Sequence, residues 1–205
     1  MPNKFFAGKT DVGLRRQNNE DVFLVSPEFD FCLAADGMGG AAAGEVASEI
    51  FAQTALSVFS INPNRSEKDT LYRVQKAYHT ANEKILEHVS AHPDHKGMGC
   101  TAELLAFFED HFILGHIGDS RTYRLRNGEL EQLTEDHTLI AWQVKTGLLT
   151  EDEALHSRQK NIITRAVGSR EYVQVDTRFI SIREGDAFLL CSDGLHGYVS
   201  DDEIA

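Results

Sequence analysis

Apolar and polar residues follow two different periods along this chain. Over residues 45–59 and 66–91 the apolar residues recur every three to four positions, the spacing of a helix that buries one face. Ser66, followed by acidic residues, is typical of a helix N-cap. Shorter helical patterns cover residues 135–145 and 151–155. Apolar runs and strict alternation predict strands over residues 21–26, 31–35, 102–108, 112–117, 122–126, 172–182 and 187–191.

Tight turns join several of these strands. Glu109-Asp110 stands between two strand patterns, and Asn127-Gly128, which follows the pattern over residues 122–126, is a frequent hairpin turn. Strands joined by tight hairpins pair antiparallel. Because two long amphipathic helices lie between them in sequence, the pattern favours an α+β sandwich of antiparallel sheets covered by helices. No linker or repeat divides the chain, so we predict one domain over residues 1–205.

The charge balance narrows the classes of partner. The 205-residue chain has 20 basic and 32 acidic residues, a net charge of −12. Nucleic acids and anionic membranes attract positive surfaces, so a non-specific binder of either is disfavoured. No signal peptide is recognisable, and no apolar run has the length of a transmembrane helix. Three widely spaced cysteines without a CxxC pair indicate reduced thiols, and we expect a cytoplasmic protein that does not insert into membranes.

Acidic residues stand at the ends of several predicted strands. They are Asp36 and Asp193, each followed by glycine, then Asp119, and the pair Glu20 and Asp21. A lone Asp-Gly pair is ordinarily a plain turn. Several carboxylates brought to one place would repel each other unless divalent cations lay between them. Because ligand sets made only of oxygen favour Mg²⁺ or Mn²⁺ over Zn²⁺, the pattern predicts a site for such ions.

Two arginines stand close to the first acidic pair. Arg15 and Arg16 precede Glu20 by a few residues. A pair of divalent ions suits a phosphate ligand, because the ions activate a water molecule and neutralise a phosphoryl oxygen. An arginine can donate two hydrogen bonds to the remaining oxygens. Taken alone, the two arginines are exposed loop charges; beside the acids they suggest phosphate binding.

Seven sequence blocks, in order, resemble the bacterial branch of the metal-dependent serine/threonine protein phosphatases, the type 2C family. The blocks are residues 13–21 (GLRRQNNED), 35–40 (ADGMGG) with 44–48 (GEVAS), 97–101 (GMGCT), 118–123 (GDSRTY), 133–138 (LTEDHT), 163–168 (ITRAVG) and 190–195 (LCSDGL). One block alone would be a weak signal, whereas seven in order are highly specific.

The resemblance implies a fold and an activity. The fold is a four-layer α-β-β-α sandwich, in which two packed antiparallel sheets are flanked by antiparallel helix pairs. The activity is hydrolysis of phosphoserine and phosphothreonine in proteins by a hydroxide that bridges two metal ions, with no covalent intermediate. The cofactors are two Mn²⁺ or Mg²⁺ ions and a third, more weakly bound one. The partner is a phosphorylated protein, in signal transduction alongside a serine/threonine kinase, and no nucleic acid is involved.

The resemblance also implies metal ligands, residue by residue. Asp36 corresponds to the carboxylate that bridges the two metals. The carbonyl of Gly37 corresponds to a ligand of the second metal, and Asp193 to a ligand of the first. Glu20 and Asp21 correspond to acids that bind a metal directly or hold its water molecules.

Three further features of the family have counterparts in this sequence. Asp119 corresponds to the acid that, with Asp193, supports the third metal in bacterial members. Arg16 matches the phosphate-binding arginine better than Arg15 does. Residues 139–161 match a mobile flap beside the site that affects the choice of substrate.

The sequence departs from the family pattern at two places. Met38 stands where eukaryotic members have a histidine proposed as general acid, so we expect water to protonate the leaving group. The sequence ends at Ala205, before the family's last strand and its Asp-Asn motif, whose aspartate also binds the first metal. A missing carboxylate would weaken metal binding, so an alternative is a catalytically impaired module that binds a phosphoprotein without turnover. A two-metal nuclease is disfavoured by the acidic charge.

Four other polar residues near these blocks have more ordinary interpretations. For His137 a structural hydrogen bond is favoured over acid–base catalysis. His196 is compatible with a place near the site and equally with the surface. Thr101 and Ser120 are interpreted as hydroxyls of a hydrogen-bond network, since no Ser–His–Asp arrangement is apparent.

Overall fold

The chain folds into two antiparallel sheets, and its two long helices pack on one of them. The computed structural model describes residues 4–39, 43–61, 66–157, 159 and 161–205. Gly40 of the second block, the loop residues 62–65, and residues 158 and 160 of the predicted flap lie outside the described residues. The two sheets confirm the predicted α+β fold.

The larger sheet is the centre of the fold. Among the described residues it contains β1 (Asp21–Ser26), β2 (Phe31–Met38), β3 (Gly99–Cys100), β4 (Ala102–Phe108), β5 (His111–Ile117) and β8 (Asp176–Ser181). Its strands follow the order β1-β2-β4-β5-β8, all antiparallel, with β3 paired to the end of β2. This extra pairing explains why β2 continues to Met38, past the predicted end at residue 35.

The smaller sheet packs on one face of the larger sheet. Its strands are β6 (Arg121–Arg126), β7 (Glu129–Gln132) and β9 (Ala187–Cys191), in the order β7-β6-β9. Leu105, Phe112 and Leu114 of the larger sheet form a buried cluster with Leu133, against which Phe188 of β9 packs. The Phe112 and Phe188 rings meet edge to face with centroids 4.8 Å apart, an arrangement that aromatic pairs favour.

Two long helices cover the opposite face of the larger sheet. They are α1 (Ala43–Ser60) and α2 (Glu67–Ala91), and they contact each other as well as strands β2, β4 and β5. Leu104 belongs to this second core, whereas its neighbour Leu105 points to the smaller sheet. Because successive strand residues face opposite sides, a strand buried on both faces is apolar at most of its positions. As predicted, Ser66 caps α2 by accepting a hydrogen bond from the Asp69 amide at 3.2 Å.

The remaining helices are short. They are α3 (Leu139–Lys145), α4 (Glu151–Leu155), α5 (Asp193–His196) and α6 (Asp201–Ile204), with a 3₁₀ turn at Pro93–His95. Within the described part of the chain, no helix combines the length and the apolar character needed to cross a membrane.

Besides β2, the largest differences from the predicted bounds occur in one helix and one strand. The helix expected from residue 135 begins only at Leu139, because Thr138 caps it and pairs with Ile163 in an isolated antiparallel bridge. The strand expected over residues 172–182 is shorter and comprises only β8. Asp176, its first residue, lies opposite His116, and β5 has only one residue beyond that position with which an earlier part of the strand could pair.

The packing between the sheets yields a stability prediction. Phe112 is completely buried between them, whereas Phe5 is 92% exposed. We expect Phe112→Ala to lower the free energy of unfolding by about 3–5 kcal/mol, through lost burial and the cavity left behind. Phe5→Ala, the matched control, should change it by less than about 0.5 kcal/mol. Urea denaturation followed by circular dichroism measures both, and similar losses in the two variants would contradict this packing.

Candidate metal centre

The first two acidic positions meet across a strand pair. Asp21 at the start of β1 lies directly opposite Asp36 near the end of β2. Their carboxyl groups lie close enough for Asp21 to raise the pKa of Asp36. Ser192, which follows β9, donates its hydroxyl to Asp21 Oδ2 at 2.7 Å and so links this pair to the second sheet.

The other two aspartates meet because β6 and β9 are paired. Arg121 at the start of β6 lies opposite Cys191 at the end of β9. Asp119 stands two residues before Arg121, and Asp193 stands two residues after Cys191. The pairing therefore places the buried Asp119 near Asp193, the first residue of α5. His196 of α5 adds a hydrogen bond of 2.9 Å from its Nε2 to the Asp119 carbonyl oxygen.

Two hydroxyl groups connect the Asp36 and Asp119 segments. The Asp36 amide donates to Thr101 Oγ1 at 3.1 Å, and the Thr101 amide donates to the Asp36 carbonyl oxygen at 2.9 Å. Thr101 Oγ1 and Ser120 Oγ lie 2.6 Å apart. The prediction that these hydroxyls belong to a network is confirmed, and the network fixes the backbone spacing between the two aspartate segments.

Glycine at position 37 permits a very close backbone approach. A Cβ atom there would lie 2.0 Å from the Gly44 carbonyl oxygen and 2.8 Å from that of Glu20. The Gly37 amide donates to this Glu20 oxygen at 3.0 Å. The Glu20 side chain pairs with Arg16 at 3.0 Å, and the Arg16 side chain is 74% exposed. Glu20, Gly37 and Arg16 thus lie beside the aspartates, with Arg16 on the solvent side.

The electrostatics of the cluster favour protonated carboxyl groups when no cation is present. Burial raises the pKa of Asp36 from 3.8 to about 8, and the charges of Asp21, Asp193 and Asp119 add to this shift. Burial also raises the pKa of Asp119 to about 6, with Asp193 as the next cause. The neighbouring carboxylates therefore destabilise the ionised forms of Asp36 and Asp119.

This donor set fits a hard divalent cation. Among the described residues, no three His, Cys, Asp or Glu side chains are already spaced as ligands of one ion. The fit rests on chemistry. The side chains whose charges raise the pKa of Asp36 are all carboxylates, and a cation between them would turn their repulsion into attraction. Oxygen donors of this kind suit Mg²⁺ or Mn²⁺.

The structure shows which residues of the site could be located from the sequence and which could not. It brings together the four predicted aspartates and puts His196 in contact with one of them. Ser192 was missed, because only the folded chain brings it to Asp21, which is 171 positions away. A buried pair, Glu103 and His116, was also missed. This pair could have been found from the predicted hairpin turn at residues 109–110. Pairing the two strands residue by residue, outward from that turn, places Glu103 opposite His116.

The raised pKa values predict how the metal-free protein responds to pH. A carboxyl group with a raised pKa in the folded state stabilises the fold fully below its unfolded pKa and loses this contribution as pH rises through the folded pKa. We expect the free energy of unfolding, measured in EDTA, to fall between pH 4 and pH 8 because Asp36 ionises at about 8. Asp36→Asn should flatten this slope, while Asp202→Asn, an exposed control, should leave it unchanged. Equal slopes in wild type and Asp36→Asn would contradict the electrostatic explanation.

Comparison with known sequences identifies close relatives. The chain is 39% identical over 199 residues to the serine/threonine protein phosphatase PstP of Mycobacterium tuberculosis, covering 97% of this chain and 38% of that protein. It is 38% identical over 202 residues to the protein phosphatase PhpP of Streptococcus pneumoniae, covering 95% of this chain and 80% of that protein. The chain thus spans well under half the length of PstP but most of PhpP.

Solved structures with the same fold include PstP itself. The crystal structure of the Mycobacterium tuberculosis enzyme superposes with a TM-score of 0.88 at 38% identity, over 96% of this chain and 81% of that one. The PstP catalytic domain in complex with two manganese ions gives a TM-score of 0.85 at 38% identity, over 96% and 80%. A sequence model of the protein phosphatase 2C family matches residues 12–204. The chain belongs to the protein phosphatase 2C family.

Proposed function

We propose that this chain hydrolyses phosphoserine and phosphothreonine in proteins, with two Mn²⁺ or Mg²⁺ ions and a third, weaker one. The observation that carries the proposal is the convergence of four aspartates from separate segments of the chain, with mutual repulsion that a cation would relieve. Relatives named serine/threonine phosphatases, one of them crystallised with two manganese ions, support the same activity.

The ligand roles form part of this proposal. Asp36 would hold both principal ions, with the Gly37 carbonyl on one of them and Asp193 on the other. Glu20 and Asp21 would bind an ion or its water molecules, and Asp119 would serve the third ion with Asp193. When bound, the two principal ions supply an activated water for attack on phosphorus and neutralise a phosphoryl oxygen.

The protein's own contribution to the reaction is positioning and charge. The exposed Arg16 can leave Glu20 and donate hydrogen bonds to the phosphoryl oxygens. Thr101 and Ser120 are each 1% exposed and hydrogen-bonded to each other, so neither hydroxyl is available as a nucleophile. Direct attack by water, without a covalent intermediate, agrees with this burial. The Met38 side chain has no proton to donate, so we expect a water molecule to protonate the alkoxide that leaves when the phosphate ester bond breaks.

The wider biological setting is also part of the proposal. The substrate would be a phosphorylated protein in a signalling system that includes a serine/threonine kinase. Residues 139–161 would act as a flap that influences which phosphoprotein binds. The free thiols of Cys32, Cys100 and Cys191 agree with a cytoplasmic location.

The ligand roles predict two inactive variants. Asp36→Asn and Asp193→Asn should each reduce Mn²⁺-dependent hydrolysis of a phosphothreonine peptide by about 100-fold or more, because each removes a charged metal ligand. Asp202→Asn, an exposed control on α6, should retain full activity. Phosphate release at saturating peptide measures the rates. Full activity in either ligand variant would contradict these metal-binding roles, and a wild-type chain that binds Mn²⁺ without turnover would favour the non-catalytic alternative.

The neighbouring arginines provide a matched pair for phosphate binding. We expect Arg16→Ala to raise the KM for the phosphopeptide about tenfold or more, since a hydrogen bond to a charged group contributes about 1.5–3 kcal/mol. Arg15→Ala removes the same charge one residue earlier and should change the KM less than about twofold. Steady-state kinetics at saturating Mn²⁺ compares them. Equal effects of the two substitutions would show that only the overall charge matters.

A further inference from the structure

The ring of His137 is hydrogen-bonded to the turn that carries Asp119. Gly118, the residue before Asp119, donates its amide hydrogen to His137 Nδ1 at 3.1 Å. In return the His137 amide donates to the Gly118 carbonyl oxygen at 2.7 Å. Gly118 has a φ of +107°, and a Cβ atom there would lie 2.5 Å from the Thr101 Cβ. The turn is therefore tightly confined, and His137 satisfies both of its backbone polar groups.

The same histidine directly precedes the segment from which the predicted flap leaves, and it contacts the segment to which the flap returns. We call residues 138–139 and 162–165 the flap base. The His137 carbonyl oxygen accepts hydrogen bonds from the Thr164 amide at 2.8 Å and the Thr164 hydroxyl at 3.0 Å. The Leu139 amide donates to the Ile162 carbonyl oxygen at 2.9 Å. The chain thus leaves for the flap and returns from it beside His137.

A side-chain relay holds the ring from its other nitrogen. Asp176 Oδ2 lies 3.0 Å from His137 Nε2. Arg165 of the flap base donates from Nη1 to Asp176 Oδ1 at 3.0 Å, and the same Nη1 lies 3.2 Å from His137 Nε2. The buried His116 ring packs on His137 with centroids 4.5 Å apart, and His116 is itself hydrogen-bonded to Glu103. The ring is therefore fixed on its face and at both nitrogens.

These contacts define one protonation state of the ring. Because Nδ1 accepts the Gly118 hydrogen, the proton of the neutral imidazole must be on Nε2, from which it is donated to Asp176. The Arg165 Nη1 group near Nε2 then donates to Asp176 and not to the ring. Burial lowers the pKa of His137 to about 4, with the nearby His116 as the next cause, so the ring is neutral at pH 7. A buried ring held in one tautomer is suited to fixing positions rather than to transferring protons.

We propose that His137 is a positioning residue that ties the Asp119 turn to the flap base through its Gly118 and Asp176 hydrogen bonds. The inference rests on the proposed function, since Asp119 is there a ligand of the third ion and residues 139–161 a substrate-selecting flap. It assigns the coupling between these two parts to one side chain. A displacement of the flap base then changes the Asp119 turn, and metal binding at Asp119 changes the flap base in turn.

The first test uses the metal-free wild-type protein. Nitrogen-15 NMR of the histidine rings should show His137 as a neutral imidazole protonated at Nε2 at pH 7. A proton on Nδ1, or a doubly protonated ring, would overturn the proposal, because Gly118 would then have no acceptor. This measurement depends on neither activity nor any variant.

The second test asks whether breaking one link loosens the other. Asp176→Ala removes the carboxylate that accepts from His137 Nε2 and binds Arg165, and it changes no residue of the Asp119 turn. In metal-free protein, hydrogen exchange should become faster at the Gly118 amide as well as at the Leu139 and Thr164 amides. His79→Gln, an exposed substitution on α2, is the control and should change none of them. Faster exchange confined to the flap base would overturn the coupling.

The third test asks whether His137 acts by positioning or by catalysis. It uses two variants whose side-chain amide can replace one ring nitrogen each. In His137→Asn the amide oxygen can replace the Nδ1 acceptor, whereas in His137→Gln the amide nitrogen can replace only the Nε2 donor. We expect His137→Gln to raise the Mn²⁺ concentration for half-maximal activity about tenfold, the usual effect of losing a partner behind a metal ligand, and His137→Asn to raise it less than about twofold.

The value of kcat and its pH profile decide whether His137 is a positioning residue or a general acid or base. At saturating Mn²⁺ both variants should keep a kcat within about threefold of wild type, with an unchanged pH profile, whereas loss of a general acid or base would lower kcat about 100-fold or more. Such a loss, or equal metal requirements in the two variants, would overturn the proposal. If wild type itself shows no turnover, the proposed function fails, and the NMR and exchange results still decide the coupling.

Discussion

Mutual repulsion among four clustered aspartates, one buried, two half-buried and one exposed, is the constraint around which this fold is arranged. The charges of Asp21, Asp119 and Asp193 disfavour ionisation of Asp36, and the charge of Asp193 disfavours ionisation of Asp119, so the four would separate in a flexible chain. Backbone pairing prevents this separation. The hydrogen bonds between β1 and β2, and between β6 and β9, hold the ends of these strands together, and the carboxylates lie at those ends. The stability that offsets the repulsion comes from the two cores on either face of the larger sheet. A divalent cation would make the same arrangement favourable.

The buried polar residues extend this organisation away from the aspartates. Thr101 and Ser120 connect the Asp36 and Asp119 segments, and Ser192 connects Asp21 to the second sheet. Thr101 accepts from the Asp36 amide, Ser120 pairs with the Thr101 hydroxyl, and Ser192 donates to the Asp21 carboxylate. These partners would otherwise be left unpaired, which is costly in a protein interior. A site of this kind depends on hydrogen bonds made by residues that bind neither metal nor substrate.

Much of this could be predicted from the sequence, and the parts that could not have a common cause. Continuous apolar runs located the strands that are buried on both faces, and a helix cap located the start of α2. Asp36 and Asp193 were recognisable because each ends such a run. Neither the start of α3 nor the length of β8 was predictable, since each is set by pairing with a distant segment. Ser192 was missed for the same reason, because it acquires its partner only in the folded chain. The Glu103–His116 pair, in contrast, follows from the register of the predicted hairpin at residues 109–110.

Folding gathers these aspartates into what we propose is a site for paired divalent cations, and crystallography can decide whether the ions bind there. Crystals grown with excess manganese should be measured above and below the manganese absorption edge. We expect two neighbouring anomalous peaks, with Asp36 beside both and Asp193 beside one. Well-ordered Asp36 and Asp193 side chains without an anomalous peak near either would contradict the proposed site.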